Sequence, residues 1–192
     1  MTEPDTVLRH WLGEVGTANW YAVDPAIDDE IRRRFLPDWE AALAGERATW
    51  CADARGTLAF LILTDQYPRN MFRGDARSFA TDALARGVAE TAIARGLDME
   101  IAEPERQFFY LPLMHSEDPV DQDRAVKLVE SSLPETGGNN LPHARAHREI
   151  IRRFGRFPFR NAALGRETTE EEQEFLNAGG YGAVLRSLAD KG

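Results

Sequence analysis

The sequence contains a single cysteine, Cys51, and no proline-free apolar stretch longer than residues 58–63. One cysteine excludes a disulfide within the chain and is typical of a reducing compartment. A run of this length is much shorter than the roughly 20 residues that cross a bilayer. The first residues, MTEPD, also lack the basic and apolar regions of a secretory signal. We therefore expect a cytoplasmic protein without a membrane partner.

Several catalytic and cofactor motifs are also absent. The sequence has neither the Gly-x-Gly-x-x-Gly loop nor the Gly-Lys-Ser/Thr loop that cradles phosphates, which excludes nucleotide binding through those loops. It also lacks a Gly-x-Ser-x-Gly turn, so Ser116 is predicted to make local hydrogen bonds rather than to act as a nucleophile. No cofactor is predicted.

Acidic residues outnumber basic ones, which gives a formal net charge of −9, but positive charge is concentrated in one segment. Residues 141–166 contain seven arginines and one acid, Glu149. The net charge disfavours wholesale attraction to nucleic acid, because long-range association follows the summed field of the protein. The basic segment still predicts a locally positive face, so nucleic-acid binding there is kept as a minor alternative.

Strand signals are almost absent, whereas helix signals recur along the whole chain. Apolar residues repeat at three- and four-residue steps, and no period-two alternation flanks a hairpin turn. Short connections between such helices favour antiparallel neighbours. The sequence therefore predicts an all-α fold of stacked antiparallel helical hairpins in a single domain, residues 1–192. The expected helices are 4–14, 25–44 with an interruption at Pro37, 49–66, 81–95, 104–116, 119–132, 141–154, 169–177 and 181–189.

Local signals indicate where several of these helices begin and end. Asp24 and Asp118 each place a capping carboxylate before a proline, which needs no N–H partner in the first turn. Residues 168–171, TTEE, match a capping box. The glycines expected to end helices in a left-handed conformation are Gly45, Gly96 and Gly155.

Three strings carry a resemblance to a known family: residues 64–74 (TDQYPRNMFRG), 109–117 (FYLPLMHSE) and 147–158 (HREIIRRFGRFP). Together they resemble the bacterial family catalogued as domain of unknown function 924, over nearly the whole chain. The resemblance implies a tetratricopeptide-like helical fold and no assigned activity. This sequence departs from the family pattern at Phe159, where histidine is usual. No role that depends on a histidine side chain is therefore expected at that position.

Asp65 continues the apolar stripe of the helix expected at 49–66, which aims a carboxylate towards the core. Near a helix C-terminus it also opposes the helix dipole, so it needs a cationic or multi-donor partner. Arg69 is one candidate partner, but Pro68 biases Tyr67 away from the helical geometry that would bring Arg69 back to Asp65. An arginine of the basic segment is the other candidate partner. A purely structural ion pair is the alternative to a functional acid.

Two aromatic-proline turns, residues 67–70 and 157–161, each follow a helix and then present an arginine and an asparagine. If both turns lie at the entrance of one pocket, their Arg-Asn pairs offer bidentate hydrogen-bond donors to a carboxylate or phosphate. In the alternative, each turn caps its own helix and binds only backbone carbonyls.

His143 and His147 are four residues apart on the apolar stripe of the helix expected at 141–154, so both rings are predicted to face inward. The spacing suits a metal, but no third ligand or adjacent acid accompanies it. We therefore predict core histidines with hydrogen-bonded rings and no metal site. The four tryptophans are expected to be core anchors rather than base-stacking platforms.

The predicted site combines these polar groups with His115, Ser116 and Glu117, which end an apolar run where a pocket rim is expected. We expect a binding or interaction module whose arginine-rich pocket holds an anionic small molecule or a peptide carboxylate. The alternative is a small-molecule enzyme with Asp65 or Glu117 as general base and His115 or His147 as acid. The predicted ligand-binding residues are Asp65, Gln66, Arg69, Asn70, His115, Glu117, His147, Arg148, Arg156, Arg160 and Asn161.

Overall fold

A computed structural model describes residues 2–189, and this range contains helices and turns but no strand. The all-α prediction is confirmed. The contacts separate the chain into two compact units, an N-terminal unit that ends at Pro112 and a C-terminal unit that begins at Leu113. The single domain and the tetratricopeptide-like arrangement stay predictions. Among the described helices, none combines the length and apolarity that crossing a membrane requires.

The α-helices follow one another along the chain and are joined by turns and by 3₁₀- and π-helical segments. They are α1 (Pro4–Leu8), α2 (Pro25–Leu43), α3 (Ala54–Leu61), α4 (Tyr67–Met71), α5 (Asp82–Ala94), α6 (Leu111–Met114), α7 (Pro119–Ser132), α8 (Gly137–Phe154), α9 (Glu170–Asn177) and α10 (Gly180–Ala189).

Two π-helical segments extend helices of the N-terminal unit. Arg9–Val15 continues α1 and contains His10, and Ile62–Gln66 continues α3 and contains Asp65. In this unit α1 and α5 pack against α3, and α2 packs against α4. The buried aromatic core includes all four tryptophans, as predicted: Trp11, Trp20, Trp39 and Trp50.

The helix expected at 49–66 is divided at Asp53, so the prediction of one continuous helix is wrong. The Asp53 carboxylate accepts a hydrogen bond from the N–H of Gly56 at 2.8 Å, which caps the start of α3. The preceding residues form the separate 3₁₀ turn Ala48–Ala52. An aspartate that caps a helix has extended backbone angles, so helical bonding cannot run through it.

The helix expected at 104–116 is also wrong as a single element. The chain forms the 3₁₀ turn Glu105–Phe109, and α6 follows only after Tyr110. Pro112 has no N–H to donate to the carbonyl of Phe108, which prevents regular α-helical bonding at this point.

The predicted interruption of α2 at Pro37 does not occur, because the helix runs from Pro25 to Leu43. Pro37 cannot donate to the carbonyl of Arg33, but both residues are exposed, so solvent can satisfy that carbonyl. Pro142 likewise lies inside α8, which begins four residues earlier than expected.

The predicted helix ends are largely confirmed. Asp24 and Asp118 accept hydrogen bonds from the N–H groups of Ala26 and Val120, each at 2.8 Å. The capping box lies one residue later than expected and joins Thr169 to Glu172. The three helix-ending glycines have φ between +67° and +82°, which only glycine adopts without strain: Gly45, Gly96 and Gly155.

The C-terminal unit is built on a hairpin of α7 and α8. Glu130 pairs with Arg145 at 2.8 Å, and Asp123, earlier in α7, pairs with Arg148, later in α8, at 3.5 Å. This order of partners shows that the two helices are antiparallel. Helix α8 also packs against α10, and the buried cluster of this unit is formed by Ala146, Ile150, Ile151, Phe157, Phe175 and Val184.

Candidate functional site

Asp65 is buried, as predicted, with 1% of its side chain exposed. The Gln66 side-chain amide donates to its Oδ2 at 2.5 Å, and the guanidinium of Arg69 lies 3.3 Å from its Oδ1. Arg69 also pairs with Asp82 at 3.0 Å. The partner of Asp65 is therefore the nearby arginine, and the charge of that arginine is shared between two carboxylates.

The turn that brings this arginine back is helical despite Pro68. Tyr67 has φ −57° and ψ −39°, so the expected bias away from helical geometry is overridden. Pro68 cannot donate to the carbonyl of Thr64, but the hydroxyl of Thr81 donates to it at 2.5 Å. The indole N–H of Trp39 in turn donates to Thr81 at 3.1 Å. The hydroxyl of Thr81 thus replaces the N–H donor that Pro68 lacks, and Trp39 holds that hydroxyl in place.

Asn70 belongs to a clamp on a buried carboxylate rather than to the Asp65 cluster. Its amide donates to Oδ1 of Asp28 at 2.8 Å, and the guanidinium of Arg73 donates to the same oxygen at 2.9 Å. Asp28 lies near the start of α2 and is 7% exposed. This clamp fastens α4 to α2.

The second aromatic-proline turn builds the same arrangement in the C-terminal unit. Arg156 donates to both oxygens of Glu172, at 2.6 and 2.8 Å, and Asn161 donates to the same carboxylate at 3.1 Å. The N–H of Thr169 adds a fourth hydrogen bond at 2.9 Å. Each turn therefore directs its asparagine to a carboxylate in the first turns of another helix, an outcome between the two alternatives left open by the sequence.

A second group of predicted residues lies near the buried ring of Phe157. The guanidinium carbon of Arg160 lies 4.5 Å from the ring centroid, and the His147 ring meets it edge-on at 5.3 Å. The His115 and His147 ring centroids are 6.1 Å apart. Arg160 also donates to the carbonyl of His115 at 2.9 Å. We call these four residues the Phe157 cluster.

Glu117 adjoins this cluster as an acceptor. It takes hydrogen bonds from the N–H of Phe157 at 2.8 Å and from both terminal nitrogens of Arg166 at 2.7 and 3.0 Å. Burial opposes ionisation, but these hydrogen bonds outweigh it and lower the pKa of Glu117. The carboxylate is therefore ionised and fully engaged.

The two histidines of α8 do not both face inward. His147 is partly buried, but His143 is exposed, so the prediction for His143 is wrong. Instead, both rings lie against Tyr181 of α10, with ring centroids 6.0 and 5.0 Å from it for His143 and His147. The local role predicted for Ser116 is confirmed, because its hydroxyl donates to Asp121 at 2.6 Å.

The eleven predicted residues thus fall into several separate groups. The Asp65 cluster and the Asp28 clamp belong to the N-terminal unit, and the remaining groups belong to the C-terminal unit. Within the described residues, the ion-pair partner of Arg148 is Asp123. The convergence of both sets on one pocket stays a prediction.

Sequence reasoning missed a polar cluster around His10. The buried His10 ring lies 2.8 Å from the hydroxyl of Tyr67 and 4.0 Å from the carboxylate of Glu30, which shares Arg34 with Glu14. Burial, and then the nearby charge of Arg34, lower the pKa of His10. The four-residue spacing of His10 and Glu14 was the signal available in the sequence.

Comparisons with known proteins agree with the fold and the strings described above. A family model described as "Bacterial protein of unknown function (DUF924)" matches residues 7–180. A solved structure of a protein of unknown function from Agrobacterium tumefaciens is similar, with a TM-score of 0.84 and 43% identity over 90% of this chain and 96% of that chain. No curated protein matches significantly. The chain therefore belongs to the bacterial DUF924 family.

Proposed function

We propose that the chain is a helical binding module whose C-terminal unit recognises an anionic small molecule or a peptide carboxylate. The observation that supports this function is the Phe157 cluster, in which the His147 imidazole and the Arg160 guanidinium lie against one aromatic ring and the His115 imidazole lies against His147. Imidazole and guanidinium N–H groups are donors that proteins use to bind carboxylates and phosphates.

Arg148 follows His147 on α8 and supplies a further cation to the C-terminal unit. Its side chain is 43% exposed, and its pair with Asp123 is long, at 3.5 Å. A long, exposed pair contributes little to stability. Arg148 can therefore exchange this partner for an anionic ligand at little cost.

Catalysis is less well supported than binding. A general base needs an available lone pair and a pKa near the working pH. Glu117 accepts three N–H donors and has a lowered pKa, and Asp65 is held by Gln66 and Arg69. Both candidate bases are therefore engaged in the structure itself, which favours a binding function.

We also propose that this module works in the cytoplasm. The proposal is supported by the single cysteine, which is partly buried and has no disulfide partner. Burial raises the pKa of the Cys51 thiol to about 11. Such a thiol is protonated at neutral pH and reacts slowly, as suits a structural residue.

Anion binding is testable by thermal unfolding with three probes: inorganic phosphate, citrate, and a short peptide with a free C-terminal carboxylate, compared with its amide. A ligand at 100 times its Kd stabilises a protein by about 2.7 kcal/mol, which corresponds to about 5–10 °C in Tm at this size. We expect His147→Ala and Arg148→Ala each to remove most of that shift, because each deletes a side-chain N–H donor at the proposed site.

Arg145→Ala is the matched control for the arginine variant. Arg145 lies on the same helix, is also exposed and pairs with Glu130, so its removal changes the net charge equally. We expect it to retain the full shift. Equal losses in both arginine variants would assign the stabilisation to bulk charge, and no shift with any probe would contradict the proposed ligand classes.

A further inference from the structure

The His10 cluster of the N-terminal unit contains none of the residues predicted from sequence to bind a ligand. The side-chain donor atoms of His10, Glu14 and Glu30 all lie within 4.8 Å of one another. His10 and Glu14 lie on the π-helical segment Arg9–Val15, and Glu30 lies on α2. Such π-helical turns are rare and are frequent at functional sites.

The buried hydroxyl of Tyr67 orients the His10 ring. The Nδ1 atom of His10 lies 2.8 Å from the hydroxyl of Tyr67, which also lies 3.4 Å from the carbonyl of Val7. Both contacts are hydrogen bonds when Nδ1 carries the proton and the hydroxyl donates to Val7. The Nε2 atom then carries the lone pair, and it faces Oε1 of Glu30 at 4.0 Å. A lone pair opposite a carboxylate is stabilised by a cation between them.

Arg34 supplies the positive charge in the structure. Its NH1 atom lies 2.5 Å from Glu14 and 2.8 Å from Glu30. The Arg34 side chain is 26% exposed and its two partners are 47% and 42% exposed, and pairs of this kind are weak. The guanidinium can therefore turn into solvent when another cation competes for the two carboxylates.

The charge of the surrounding unit also favours a cation. Residues 1–112 contain nineteen acidic and twelve basic residues. An excess of negative charge raises the local concentration of cations near the surface. The carboxylates of Glu14 and Glu30 stand at the solvent-facing side of the cluster, where an ion can reach them.

We propose that His10, Glu14 and Glu30 bind a divalent first-row transition metal such as Zn²⁺, with Arg34 as the competing internal cation. One imidazole and two carboxylates are ligand types that zinc takes, with water completing a tetrahedron. Bonds of about 2.0–2.2 Å place tetrahedral ligand atoms about 3.3–3.6 Å apart. The donors lie within 4.8 Å of one another, so they must approach by up to about 1.5 Å. Rotation of the two partly exposed glutamates provides that movement.

Tyr67 has a positioning role in this proposal. A histidine that ligates a metal usually donates its other ring N–H to an oxygen, and loss of that oxygen typically weakens metal binding by about 10–100-fold. Tyr67→Phe keeps the buried ring and removes only the hydroxyl. We expect a loss of affinity in this range with little change in fold.

The test is calorimetric titration of Zn²⁺ alone into the metal-free full-length protein. We expect one Zn²⁺ per chain, and a loss of at least about tenfold in affinity for both Glu14→Gln and Glu30→Gln. Arg34→Ala removes the competing cation and should tighten binding by about tenfold. A merely structural ion-pair network predicts no such gain, so this variant separates the two interpretations.

His143→Asn is the control, because it removes an exposed imidazole of the C-terminal unit and should leave the affinity unchanged. Circular dichroism is the check that each variant is folded. The proposal is overturned if neither the parent nor Arg34→Ala binds Zn²⁺, which would leave an ion-pair network only. It is also overturned if His143→Asn abolishes binding while Glu30→Gln does not. The anion-binding experiment concerns other residues, so the two proposals fail independently.

Discussion

Gly56→Ala is expected to destabilise the N-terminal unit by about 3 kcal/mol or more. A Cβ atom at residue 56 would lie 2.0 Å from the carbonyl oxygen of Trp50, well inside van der Waals contact. The obstacle is backbone, so relief requires moving the turn Ala48–Ala52 or the capped start of α3. Overpacking costs about 1–3 kcal/mol where side chains can yield, and more where the backbone has to move.

Tryptophan fluorescence during urea unfolding measures this effect, because all four tryptophans lie in the N-terminal unit. Gly87→Ala is the matched control. Gly87 lies inside α5, and a Cβ there meets nothing within 4 Å, so alanine should stabilise the helix by about 0.5–1 kcal/mol. Equal changes in the two variants would refute the close approach at Trp50.

Glu172→Ala is expected to destabilise the C-terminal unit by about 3 kcal/mol. The carboxylate is 3% exposed and is the common acceptor of Arg156, Asn161 and the N–H of Thr169. Removal of one partner of a fully buried pair costs about 3–5 kcal/mol. Arg156 is 28% exposed, so it regains some hydration, while loss of the capping box adds about 1 kcal/mol.

Urea unfolding followed by far-ultraviolet circular dichroism measures the loss, since the C-terminal unit contains no tryptophan. Glu174→Ala is the control. It removes the same charge from an exposed position on the same helix, and we expect a change within about 0.5 kcal/mol. Similar losses in both variants would show that helix charge, and not the clamp, is responsible.

The clamp also makes the C-terminal unit sensitive to acid. Hydrogen bonds from Arg156, against burial and with help from Thr169, lower the pKa of Glu172 from its ordinary 4.5 to about 2. Between these values the unfolded chain binds more protons than the folded chain, so stability falls as pH falls. The stability difference between the parent and Glu172→Gln should be constant above about pH 6 and shrink towards pH 2. A difference that does not depend on pH would contradict this assignment.

Features that depend on a few neighbouring residues were predicted well. The proline-preceding caps at Asp24 and Asp118 and the helix-ending glycines are where the sequence placed them. Errors arose where two local signals competed. Asp53 lies inside an apolar repeat that predicts one continuous helix, but its carboxylate starts a new one. Pro37 predicts a break in α2, but the helix continues because the carbonyl left without an N–H partner lies on an exposed face.

The candidate site was predicted only in part. Helical periodicity placed Asp65 in the core, because the direction of a side chain from its own helix follows from spacing alone. The clamps at Asp28 and Glu172 and the cluster around His10 were not predicted. Their partners lie up to 57 residues apart, and no spacing rule connects residues so distant.

The sequence by itself determined the helical class, most helix ends and the burial of Asp65 and the tryptophans, because these follow from local hydrogen bonding and apolar periodicity. Only the tertiary structure decided which carboxylate each guanidinium binds. That choice depends on how helices pack, since a charged side chain binds the partner that packing brings within hydrogen-bonding distance. Arg69, which the proline was expected to direct elsewhere, reaches Asp65 because Tyr67 keeps helical backbone angles.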